Sequence, residues 1–214
     1  MRRPPYDETM PFRYELTSRS GGVSQWRVTG PGVDFAGPGR RGYLTLPPLE
    51  VHTSDGGVTA LFGGNRRVAP SRHVLTSPDG HVLATFHTRL IARVVEKRQT
   101  KVTDAGGDEL WLVPIESEAS GVRDTLAAAL EGGYLLTRRG APIGRVGAPR
   151  LHPSGGIAGR AVGLARQAVH RIRNDDSTHV VGVLESDIEL DPRLAAALLL
   201  YKRWVLDPSR VPES

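Results

Sequence analysis

The stretch Asp191-Pro192-Arg193-Leu194-Ala195-Ala196-Ala197-Leu198-Leu199-Leu200-Tyr201-Lys202-Arg203-Trp204-Val205-Leu206-Asp207-Pro208 decides the fold. Asp191 is suited to an N-cap, because its carboxylate can accept from the free amides of a first helical turn. Pro192 then falls at the first helical position, where a missing N–H costs nothing. A helix is predicted over 192–206, ending before Pro208. Leu194, Leu198, Leu199, Leu200, Tyr201, Trp204 and Leu206, with Ala195 to Ala197, cover every face of it. A helix that is apolar all round has to be buried all round. At about 22 Å it is too short for a bilayer and suits the axis of a closed sheet.

Working outward, the chain before this helix reads as hairpins. A β-rich run, a short turn and a second β-rich run recur at 12–17 and 23–28, 49–53 and 58–62, 72–76 and 81–86, 91–103 and 109–115, and 134–137 and 142–146. A further pair is expected from 168–173 and 179–184. In the turn Ser77-Pro78-Asp79-Gly80, Pro78 pre-sets φ, Asp79 can bond its own backbone and Gly80 accepts φ > 0. Short strands with such turns predict an antiparallel barrel or sandwich rather than βαβ units. Two more helical signals are present. Ser120 caps a segment at 120–131 that Gly132-Gly133 stops. The segment 157–172 stays open between helix and strand, because Gly159 and Gly163 weaken its helical spacing. The glycine- and proline-rich stretch 30–42 is the best boundary candidate, yet strands of one kind lie on both sides of it. The expected organisation is one barrel domain over 12–208, after an extended or disordered segment 1–11 and before a tail 209–214.

Composition narrows the function. The chain has 214 residues and no cysteine. That excludes a disulfide framework, a thiolate zinc site, an iron–sulfur cluster and a cysteine nucleophile. Its start lacks an apolar secretory region, and its longest apolar run, 194–201, is far short of the ~20 residues that span a bilayer. The expected location is the cytoplasm, with peripheral membrane association as its extension. The net charge is +5, carried by 25 Arg and 3 Lys. Eight Arg and no acid lie in 132–173, followed by six acids and no Lys or Arg in 174–192. Either the two stretches neutralise each other in the fold, or the first presents a cationic face to phosphate groups. Arg138, Arg139, Arg145, Arg150, Arg160 and Arg166 are the candidate anion-binding residues.

Other motifs carry less. Gly37-Pro38-Gly39-Arg40-Arg41-Gly42 matches G-x-G-x-x-G, but a strand signal follows where a dinucleotide site needs a helix. Asp187, Glu189 and Asp191 alternate like the first ligands of a calcium loop. Pro192 and Leu198 then stand where that loop requires Gly and Glu, so calcium is discounted. The seven His are dispersed, and neither a P-loop nor a G-x-S-x-G elbow is present. The sequence therefore predicts no catalytic residues, metal or cofactor. One aromatic in the Arg-rich stretch, Tyr134, is too few for a single-strand stacking platform.

The hairpins ending in an apolar helix resemble the tubby-like barrel shared by phospholipid scramblases and LURP-one-related proteins. The most specific stretch is Ser186-Asp187-Ile188-Glu189-Leu190-Asp191-Pro192-Arg193-Leu194 through Leu206-Asp207, similar to the acidic approach to that family's central helix and the Asp that closes it. The repeated β run, Asp-Gly and β run of 75–83 is similar too. The resemblance covers nearly the whole chain. It implies a closed antiparallel barrel of about twelve strands around a buried C-terminal helix, in a group that includes phosphoinositide-binding and membrane-associated proteins. The chain departs from scramblases in having no cysteine to acylate and no proline-rich arm. The expected function is non-catalytic binding of an anionic ligand, an anionic lipid surface or a protein partner through the Arg-rich face. An enzyme or ligand carrier using an open barrel end is the alternative, and sequence-independent nucleic-acid binding the third.

Overall fold

The structure, a computed structural model, describes residues 11–19, 25–38, 48–64, 71–92, 97–115, 133–147 and 178–206. Its twelve strands are β1 (Phe12–Arg19), β2 (Gln25–Gly30), β3 (Val33–Pro38), β4 (Leu49–Thr53), β5 (Val58–Gly64), β6 (Ser71–Thr76), β7 (Val82–Ala92), β8 (Lys97–Asp104), β9 (Glu109–Pro114), β10 (Tyr134–Arg138), β11 (Ala141–Gly147) and β12 (Thr178–Ser186). The helix α1 (Pro192–Tyr201) follows, continued by a π-helical turn over Lys202–Leu206. Every strand pairs antiparallel with its neighbours in sequence, and β12 returns to β1 to close the barrel.

Period-two alternation sets which face is inside. Tyr14 and Leu16 of β1, Ala84 and Phe86 of β7 and Val102 of β8 all point inward and are buried. Inward side chains alone fill a barrel of about eight strands, and a wider ring leaves a lumen. The helix occupies that lumen. Leu194 through Tyr201 are buried without exception, so the all-round apolarity of the sequence has the consequence expected of it. Helical structure extends to Leu206 as predicted, but its last five residues form a π-turn, in which Val205 and Leu206 are buried.

Several expectations need correction. The stretch 30–42 holds a strand: Val33 and Phe35 point into the core, and Pro31-Gly32 is only a two-residue turn between β2 and β3. The indole of Trp26 lies where a Cβ on Gly37 would be, so this glycine serves close packing. The run 91–103 is divided, because β7 continues to Ala92 and β8 starts at Lys97. Arg138 ends β10 instead of lying in the turn. β12 has β1 and β11 as its neighbours rather than a hairpin partner of its own, and the expected strand at 168–173 lies outside the described residues. So do the expected helix at 120–131, the segment 157–172 left open between helix and strand, residues 39–42 of the glycine motif, residues 1–10 and the tail 209–214.

Candidate ligand cleft beside the start of the central helix

Connections alternate between the two ends of the barrel. At the end where α1 begins they are short: 31–32, 54–57, 77–81, 105–108, 139–140 and 187–191. Five contain a left-handed glycine (Gly32, Gly56, Gly80, Gly107 or Gly140), a conformation that costs glycine nothing because it lacks a Cβ. In the 54–57 turn the Thr53 hydroxyl bonds the Asp55 carboxylate, and in the 77–81 turn Ser77 does the same for Asp79. Those hydroxyl bonds hold both carboxyls below their ordinary range.

Against these turns, beside the helix N-terminus, lies a cleft of about 320 Å³. Leu75, Leu83, Leu110, Ile188 and Leu194 contribute its apolar lining, and four carboxylates (Asp104, Asp108, Glu189 and Asp191) with two guanidiniums (Arg138 and Arg193) its polar part. Asp191 is the helix cap that the sequence predicts: it accepts from the Arg193 amide at 2.8 Å and from the Arg193 side chain at 3.1 and 2.8 Å. Burial acts against its charge, but these bonds and the nearby guanidinium together outweigh burial and hold its carboxyl low. Arg138, at the end of β10, is paired with Asp108 of the turn before β9. Both guanidiniums of the cleft are therefore already engaged. Asp104 accepts the Asp108 amide at 2.9 Å and pairs with no cation among the described residues. Glu189 is exposed and makes no hydrogen bond or ion pair among them.

Of the six candidate arginines, three lie among the described residues. Arg138 and Arg139 stand at the tight-turn end, where Asp55, Asp79, Asp104, Asp108 and Glu189 also lie. Arg139 is exposed, is the only non-glycine residue with positive φ among those described (53°), and has no side-chain partner among them. Arg145 is on β11, where its Nε donates to Glu185 at 2.6 Å, while Arg13 of β1 donates to the other oxygen of Glu185 at 3.0 Å. This Arg–Glu–Arg bridge crosses the seam where the two ends of the chain close the barrel. It also joins one residue of the acid-free stretch to one of the acidic stretch, as the neutralising reading expects. Arg150, Arg160 and Arg166 lie outside the described residues.

Asp187, Glu189 and Asp191 do not act as a set: the first two are exposed and the third is bound to Arg193. Among the described residues no three His, Asp or Glu side chains gather as metal ligands, and no helix is long and apolar enough to cross a membrane. Sequence reasoning missed the cleft itself. Its apolar lining comes from β6, β7, β9, the segment before α1 and the first turn of α1, and its acids from around two connections far apart in the chain. Asp-Gly turns signalled hairpins, but nothing local signals that they meet beside the helix. No family model, curated protein or solved structure matches the chain.

Proposed function

We propose that the protein is a binding module that takes a small molecule with a basic head and an apolar body in the cleft beside the start of α1. The observation that carries this reading is the charge balance over an apolar lining: four carboxylates to two guanidiniums, both of the latter already engaged. A volume of about 320 Å³ is at the lower end of the range for ligand pockets, which combine apolar walls with a few polar groups that orient the guest. Hexylamine at low salt is expected to raise the thermal midpoint while hexanoate leaves it unchanged, and Glu189→Gln is expected to weaken the amine's effect. Equal responses to amine and acid, or none to either, would overturn the reading.

Arg139 favours a second reading, the anionic surface expected from the sequence. Arg139 and Gly140 both have positive φ, as in a type I′ hairpin turn, whose first position favours Asn, Asp or Gly. An arginine there carries a conformational cost and directs its fork toward solvent, a geometry suited to phosphate oxygens. The test is flotation with phosphatidylserine vesicles at low and high salt. Arg139→Ala should reduce low-salt binding more than Arg138→Ala, because Arg138 is shared with Asp108. A wild type that ignores anionic vesicles and nucleic acid at low salt would rule this reading out. A closed barrel around an apolar C-terminal helix supports the tubby and scramblase kinship proposed from the sequence, although that architecture alone does not identify a family.

A further inference from the structure

Away from the cleft, toward the other end of the barrel, the interior contains a row of hydroxyls. Ser71, Thr88 and Thr100 are cross-strand partners on β6, β7 and β8. All three are turned into the barrel, 2%, 1% and 0% exposed. The Thr88 and Thr100 oxygens are 2.9 Å apart, and the Tyr201 hydroxyl at the end of α1 bonds Thr88. Three of the four hydroxyls are thereby satisfied. Ser71 is not: its Oγ is fully buried and has no hydrogen-bond partner among the described residues. His73 follows two residues later on the same face, its ring 5.2 Å from that of Tyr201 and 5.9 Å from that of Phe62.

A buried hydroxyl without a partner is rare, because desolvating it without replacing its bonds to water is costly. The neighbours of Ser71 argue for a partner that is neither anion nor cation. Hydroxyls both donate and accept, so a row of them is matched by another neutral oxygen that does both. No carboxylate is among the buried residues described, and Lys202, also buried, has an interaction of its own. We infer that Ser71, beside Thr88 and His73, is a second binding site, one that holds a neutral hydrogen-bonding oxygen. That oxygen belongs either to the hydroxyl of a small organic molecule or to a water molecule kept as part of the fold. It would extend the row across β6, β7 and β8 and help tie the end of α1 to the wall.

The test is Ser71→Ala, a change that removes one oxygen and adds no volume. If Ser71 bonds a guest oxygen, the variant loses that bond and its thermal midpoint falls by about 2–4 °C. An unchanged or higher midpoint would mean that the hydroxyl is a true orphan, and the site would be withdrawn. A crystal structure provides an independent check: density about 3 Å from Ser71 Oγ supports the site, and clean absence of density overturns it. Native mass spectrometry of the purified wild type separates the two sources. Added mass that is lost on unfolding identifies an organic guest, whereas a destabilised alanine variant without added mass on the wild type identifies water.

Discussion

The two ends of this barrel solve different problems. Where α1 begins, six connections of two to five residues reverse the chain, five of them through a left-handed glycine. The connections at the other end lie almost wholly outside the described residues. The interior changes along the same axis. Beneath the tight turns the charged groups are at the surface, over a leucine lining, and the helix start is held by Asp191 and its pair with Arg193. Toward the far end the polar groups are inside, as hydroxyls facing Tyr201. An amphipathic helix would bind the sheet along one stripe, whereas an apolar one in a closed ring is gripped along its whole surface and needs a specific anchor only at each terminus. Here one anchor is a charged cap and the other a neutral hydroxyl row, so the two should respond differently to mutation.

The greatest expected effect comes from removing what both ends share. Leu199→Asp would place an unpaired charge on the barrel axis, a cost of several kcal/mol against the ordinary 5–15 kcal/mol of a domain. The variant should lose cooperative unfolding or fail to accumulate as soluble protein. A soluble variant with the wild-type melting curve would mean that α1 is not enclosed.

Next in size is the far anchor. Tyr201→Phe removes the hydroxyl from the row and leaves Thr88 with Thr100 alone, an expected loss of about 1–2 kcal/mol in denaturant unfolding.

The charged anchor follows. Asp191→Ala removes the cap and is expected to cost about 1 kcal/mol at neutral pH. The folded protein holds the Asp191 carboxyl below its ordinary value, so its contribution is complete above about pH 4, the unfolded value, and is lost as pH falls through the folded one. The stability gap between wild type and Asp191→Ala should therefore narrow on acidification, and a gap that stays constant would mean that the cap owes nothing to its charge.

The smallest effect should be a gain. Asn replaces Arg139 at lower conformational cost in a left-handed position, so Arg139→Asn is expected to stabilise by about 0.5–1 kcal/mol. If the same variant loses binding to anionic vesicles, the arginine is kept there for recognition. If binding is unchanged, the tight-turn end acts through its acids.

The seam shows how differently sequence and structure weigh a charge. The acid-free stretch reads as a cationic face because charges are counted along the chain. Arg145 instead meets Glu185, forty residues later, because closing the barrel places β11 beside β12, and the same glutamate takes Arg13 from the first strand. Arg138 finds Asp108 in the same manner, because β10 pairs with β9. Sequence separation had concealed both partners.

By itself the sequence determined the elements that rest on local physics. These are the cap at Asp191, the all-apolar helix over 192–206, the Asp-Gly turns and the strands with clear alternation. Together they imply a closed sheet, because only a ring can bury every face of one helix. β3 was hidden because its two inward residues, Val33 and Phe35, are flanked by Gly and Pro that read as loop, and the need for Gly37 becomes visible only when Trp26 is seen to fill its place. Only the tertiary structure decided which charges meet, where the cleft opens and which hydroxyls line up opposite Tyr201. Those outcomes depend on register and closure, which bring together residues up to 172 positions apart, and no local periodicity encodes such distances.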